Sequence, residues 1–295
     1  MGTVTLSSFV MQSLVGLSRA MILFIVTSGL SLILGVLRIP NIFHGSLYMI
    51  GAFFAFTLYK LFGGGVFGFW LAMVLAPFGV ALVSLAVERG LFSRLYDREH
   101  LMLLLFTFAL LLFFSDVVKL VWSAENRMLP APPLLRGYYS IFGLPFPRYN
   151  LFLLIAGPFV AIGLWWLTNK TKIGKIARAA AVDREMVSVV GINVSWVFCK
   201  VFVIGCFLAG LGGALVGPTQ NIVLGMDETI IIEAFLIVIM GGLGNIWGAL
   251  LGAVIFGLAE SLGLLFWPQF SIVFPYAVVI IVLYFRPQGL LRSTW

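Results

Sequence analysis

Charge is scarce in this chain. Asp, Glu, Lys and Arg make up 10% of 295 residues, against 62% hydrophobic residues and a mean hydropathy of +1.13. A soluble domain carries roughly a quarter of its residues as charges. So few polar groups cannot coat a globule of this length, and lipid must be the solvent for most of it. Cysteine is almost absent. Cys199 and Cys206 share one helix face in an apolar stretch, with no CxxC or Cys/His cluster, so neither a disulfide nor a metal is implied. Histidine is limited to His44 and His100, which are too few donors for a metal site. His44 is expected instead to hydrogen-bond backbone freed by Pro40. A nucleotide loop is missing too: Gly174-Lys175 lacks the upstream glycine at Walker spacing, and Ile176 stands where Ser or Thr is required. The sequence therefore offers no catalytic constellation, cofactor site or metal site, and any ATP-driven work must come from a partner. Residues 1–18 carry no basic residue before Arg19, unlike the n-region of a cleavable signal peptide.

What the chain has is apolar runs. A helix needs about 20 apolar residues to cross the hydrocarbon layer. Such stretches lie at 12–37, 67–87, 101–121, 150–168, 196–217 and 270–286, with shorter ones at 46–62, 229–240 and 248–266. The expected fold is an all-α, polytopic transmembrane bundle of about eight to nine spans, broken and short helices included, forming one domain over 1–295. The net charge of +7 reads as lysine and arginine held on the cytoplasmic side, not as a nucleic-acid surface. Lys170, Lys172, Lys175, Arg178 and Arg184 make 169–195 the most basic connector; Arg89, Arg94 and Arg98, then Arg286 and Arg292, mark two others. Placing all three inside puts the proline-rich loop 123–149 outside, in extended form. The N-terminus is then periplasmic and the C-terminus cytoplasmic.

Close helix contact in lipid relies on small residues. Gly205, Ala209, Gly213 and Gly217 recur every fourth position as one ridge, and Gly244, Gly248 and Gly252 make a second. Two interruptions break apolar runs. The first spans 38–46 and holds Asn41, His44 and Gly45; the second spans 241–248 and holds Gly241, Gly242, Gly244 and Asn245. Irregular backbone at membrane depth is tolerated only inside protein or along an aqueous cavity. The two segments echo each other faintly, as paired broken helices of an internal repeat would. Of the ionisable residues near spans, Lys200, Lys119 and Asp116 can snorkel from span ends. Glu233 and Glu260 flank the second interruption in apolar stretches, where they serve either a pathway or buried hydrogen bonds to helix-break backbone.

The connector 169–195 is the most informative segment. Between Gly174 and Gly191 runs one helix-forming stretch, 175–190. Ile176, Ala179/Ala180, Met186/Val187 and Val190 approximate a single apolar face interrupted by Asp183. Gly191 fits the position that ends a helix. Such a helix can lie on the membrane surface or dock into a partner's groove.

Three blocks carry a family resemblance. They are Gly29-Leu30-Ser31-Leu32 through Asn41, His44-Gly45 and Met49-Ile50-Gly51-Ala52; Gly174 through Arg178, Ala181, Asp183, Glu185-Met186 and Gly191-Ile192-Asn193; and Ala234-Phe235, Gly241-Gly242-Leu243-Gly244-Asn245 and Gly248-Ala249. In this order they resemble the LivH-type permeases of the branched-chain amino acid ABC importers, whose wider family includes amide and urea importers. Phe43, where a small residue is expected before His44-Gly45, departs from the pattern. The resemblance implies a permease subunit in the bacterial inner membrane, beside a longer LivM-like permease. It also implies a periplasmic binding protein that delivers the amino acid, and two cytoplasmic ATPases that grip Gly174, Ala181, Asp183, Glu185, Met186 and Gly191. The rival reading is a secondary transporter or channel for a small polar solute, with coupling-ion carboxylates at midplane. A membrane-embedded enzyme would need the paired catalytic clusters that are missing.

Overall fold

A computed structural model describes residues 5–95, 98–141 and 143–291. The tail residue Arg292 and the side chain of His100 lie outside the described residues. Each apolar stretch expected from the sequence is a helix: α1 Leu6–Leu37, α2 His44–Leu61, α3 Gly65–Gly90, α4 His100–Trp122, α5 Arg148–Lys170, then, after two short helices α6 Lys172–Val182 and α7 Arg184–Val189, α8 Val194–Val216, α9 Met226–Gly241, α10 Ile246–Phe266 and α11 Val273–Phe285. Among the described residues six helices are long and apolar enough to cross a membrane: α1, α3, α4, α5, α8 and α10. This is a multi-pass membrane protein. α2, α9 and α11 are shorter, at 18, 16 and 13 residues.

α1 is the central post. Its residues from 20 to 33 are buried without a break, sheathed by α8, α10, α9 and α5. α4 and α5 expose large apolar side chains such as Leu105, Phe113, Phe159 and Ile162, as surfaces facing lipid do. Small residues set the spacing inside. A Cβ on Gly205 would lie 2.7 Å from the Gly29 carbonyl oxygen of α1. One on Gly213 would overlap the Tyr48 carbonyl of α2. Gly217 packs on the Leu129 side chain, and Ala209 is fully buried between Gly205 and Gly213. The ridge on α8 thus passes from one neighbour to the next rather than serving a single partner helix.

One local expectation gains detail and one is corrected. Within the extended loop 123–149 the chain turns once at Pro133–Leu135, and Tyr138–Ile141 (β1) pairs antiparallel with Leu144–Pro147 (β2), with Tyr138 opposite Pro147. Gly143 at φ 78 makes the tight reversal that the prolines alone did not suggest. The run 175–190 is two helices, not one. Asp183 leaves helical geometry (φ −144, ψ 102) and caps α7, its Oδ1 accepting from the Met186 N–H at 2.9 Å. An aspartate prefers this capping role to a helix interior.

Candidate functional site

The residues expected to act together separate into three places. The first is the break after α1. Arg38 ends α1 in left-handed geometry (φ 57), and Asn41, His44 and Ser46 are completely buried behind it. His44 does not serve backbone freed by Pro40. Its Nε2 lies 3.0 Å from the Val26 carbonyl inside α1, while Thr107 of α4 donates to the Pro40 carbonyl at 3.2 Å. Gly45 seats the start of α9: a Cβ there would overlap the Asp227 carbonyl, and Ser46 Oγ lies 3.5 Å from Asp227 Oδ2.

The second place is the α9–α10 break. Gly241 and Gly248 lie back to back, and Gly242 (φ 105) and Gly244 (φ 77) make the turn. Asn245 caps α10 by accepting from the Gly248 N–H at 3.0 Å. Gly252 packs on Ile237 of α9. The orphan carbonyls ending α9 are met by the C-terminal tail, Leu290 N–H to Met240 at 2.8 Å and Leu291 N–H to Gly241 at 3.1 Å. This break is therefore packed against the chain's own tail. The echo with the first break also ends here, because Asn245 caps its helix while the Asn41 side chain is buried without a hydrogen-bond partner.

The third place was not legible as a unit. Glu233 of α9 and Glu260 of α10 both reach Arg19 of α1, by Nη2 to Glu233 Oε2 at 3.0 Å and Nε to Glu260 Oε2 at 3.4 Å. Neither carboxylate binds the helix-break backbone. Arg19 stands out in the sequence only as the first basic residue, inside an apolar run; its partners lie 214 and 241 residues away, so no local pattern joins them. Cavities of ≈490, ≈420 and ≈430 Å3 converge on this guanidinium. Among the described residues no group of three or more His, Cys, Asp or Glu could hold a metal ion.

One cation and two carboxylates leave an excess negative charge in apolar surroundings, where desolvation costs several kcal/mol per ion. Arg19→Met is expected to lower stability by about 3–5 kcal/mol, because Glu233 is only 6% exposed and would keep its charge unpaired. The double change Arg19→Met with Glu233→Met should recover most of that loss. Thermal unfolding of the purified protein in detergent checks both.

The residues expected to meet the ATPases gather at the C-terminal end of α1, around Leu37 and Arg38. Gly174 permits the sharp α5–α6 turn, where a Cβ would overlap the Thr168 and Leu167 carbonyls. Ala177, Ala180, Ala181 and Val187 pack inward. Val182, Met186, Val189 and Val190 are exposed at 76%, 61%, 81% and 71%, so the apolar face expected to be continuous is divided between the bundle and the outside. Asp183 and Glu185 are exposed beside them, and Gly191 (φ 84) ends α7. Two arginines tie this segment to α1: Arg38 donates to the Ala181 carbonyl at 3.1 Å and Arg184 to the Leu37 carbonyl at 3.2 Å.

Comparison with known proteins places this architecture. The family described as branched-chain amino acid transport system, permease component, matches residues 13–283. The chain is 27% identical to the high-affinity branched-chain amino acid transport system permease protein BraD of Pseudomonas aeruginosa, covering 96% of this chain and 95% of that one. Against the permease protein LivH of Escherichia coli K12 it is 25% identical, with the same coverage. Against LivM of the same organism it is 23% identical, over 93% of this chain and 68% of the relative. A match over nearly the whole length, on a bundle of membrane-crossing helices, shows that the chain belongs to the branched-chain amino acid transport system permease family.

Proposed function

We propose that this chain is one of two permease subunits of an ATP-driven importer in the bacterial inner membrane, carrying branched-chain amino acids or closely related amino acids, amides or urea. The observation that carries the reading is the family match from 13 to 283. One organism holds both a LivH and a LivM relative, which favours a second, non-identical permease as the partner across the pathway. Two cytoplasmic ATPases would supply hydrolysis, and a periplasmic binding protein would deliver the solute to the outer face. The N-terminus and the 123–149 loop are then periplasmic, and the 169–195 segment and the C-terminus cytoplasmic.

Support for coupling through α6 and α7 comes from their exposed apolar side chains, which lie among basic residues and have no covering element among the described residues. Exposed apolar patches of this kind mark interaction surfaces. Their tie to Leu37 and Arg38 gives a mechanical link, since α1 is a 32-residue helix about 48 Å long. Movement of α7 by an ATPase would be carried along α1 toward Arg19. A secondary transporter or channel has no use for such a segment.

The test is uptake of radiolabelled leucine into proteoliposomes holding this permease, its second permease and both ATPases, with the binding protein outside. Uptake should require ATP within the vesicles and should persist when proton and sodium gradients are collapsed. Gradient-driven uptake without ATP would return the chain to the secondary-transporter reading.

A further inference from the structure

Three features meet at Arg19. Glu233 and Glu260 give the site one carboxylate more than Arg19 neutralises, which suits an added cation. Arg19 Nη1 is buried without a hydrogen-bond partner, and so is the hydroxyl of the neighbouring Tyr48, a residue only 1% exposed that lines the ≈430 Å3 cavity together with Arg19 and Glu233. Two unsatisfied buried donors are costly, at about 1–3 kcal/mol each, and suit an added anion. A molecule bearing both charges on adjacent atoms answers both demands. A second cavity meets the first at Arg19: lined also by Glu260, it measures ≈490 Å3, within the range of small-molecule sites, and Ile22, Leu153 and Leu264 give it an apolar wall.

We propose that Arg19, Tyr48, Glu233 and Glu260 form a transit site for the zwitterionic head of an α-amino acid, the carboxylate accepting from Arg19 Nη1 and Tyr48 and the ammonium donating to Glu260 and Glu233. The aliphatic side chain lies along the apolar wall. Nothing here fits a metal ion well, because the guanidinium between the carboxylates opposes a second concentrated positive charge. The inference rests on the importer reading, and makes this chain a reader of the amino-acid head group in addition to the binding protein.

Glu260→Gln and Tyr48→Phe are the decisive variants. Glu260 is 40% exposed at its side chain, so its neutral form leaves the buried Arg19–Glu233 pair intact. Among the described residues the Tyr48 hydroxyl makes no hydrogen bond of ordinary geometry, although Arg19 lies beside it, so a purely structural residue would tolerate its removal. In the reconstituted complex, uptake is measured against the concentration of leucine-loaded binding protein. Expected results are a fall in maximal rate of at least tenfold for Glu260→Gln and about fivefold for Tyr48→Phe, with half-saturation unchanged and partial recovery in Glu260→Asp. A wild-type maximal rate in either variant overturns the proposal. So does failure of either complex to assemble, which would make the cluster a brace, or a change confined to half-saturation, which would assign it to docking of the binding protein. A wild-type complex that takes up no leucine with ATP would instead defeat the importer reading itself.

Discussion

Met186→Asp is expected to cut ATP-driven uptake more than tenfold while the permease reaches the membrane in normal amounts. Local physics favours the substituted helix. Asp183 caps α7, so residue 186 is the third helical position, where an acidic side chain interacts well with the free N–H groups and the helix dipole. Met186 is 61% exposed, so little packing within this chain is lost. The cost must therefore appear at whatever Met186 touches in the assembled transporter. Desolvating an unpaired carboxylate in the apolar part of an interface costs several kcal/mol, enough to separate ATPase from permease or to break transmission between them. Immunoblots of membranes, co-purification of the ATPases and leucine uptake read the three steps separately. Unchanged uptake would remove α7 from the coupling surface.

The helices were legible because their cause is local. Sustained apolar runs such as 12–37 and 150–168 have one solution in lipid, a helix that satisfies its own backbone. Gly191 was legible as a helix end for the same reason, since a positive φ at that place favours glycine. The division at Asp183 was visible only as an interruption. Whether an aspartate stays in a helix or caps the next depends on the turn that follows, here pinned by Arg184 reaching Leu37 on α1. The ion cluster was half visible: Glu233 and Glu260 stood out as carboxylates in apolar stretches, but their partner was set by the packing of α1 between α9 and α10. The broken segments were the least legible. His44 looked like a residue that repairs a proline break, yet Thr107 on α4 meets Pro40, and His44 turns to Val26. Such assignments depend on which helix lies opposite, and glycine spacing alone does not name the opposite helix.

Gly213 carries a large expected effect on stability. Helices gain no hydrophobic energy from meeting one another in lipid, so close packing and the contacts it permits must hold α8 against α2. At Gly213 the neighbour is backbone: an added Cβ would overlap the Tyr48 carbonyl oxygen and lie 3.0 Å from the Ala52 nitrogen. A flexible side chain could swing away from such an intrusion, but a helix backbone can yield only by moving as a body. On the same helix Gly210 approaches Gly51 of α2 and Val80 of α3, so a shift at Gly213 would open contacts with two neighbours together. Gly213→Val is therefore expected to cost about 3 kcal/mol or more, at the upper end for an overpacked core, and to lower both membrane yield and melting temperature. Gly163 on α5 is the matched control, an exposed helical glycine with nothing within 4 Å of an added Cβ. Gly163→Ala should be neutral or slightly stabilising, because alanine is the better helix former. Both proteins, purified in the same detergent and melted side by side, should differ clearly. Equal melting temperatures would mean that α8 and α2 are not held at the spacing described, and the packing of the bundle around α8 would need revision.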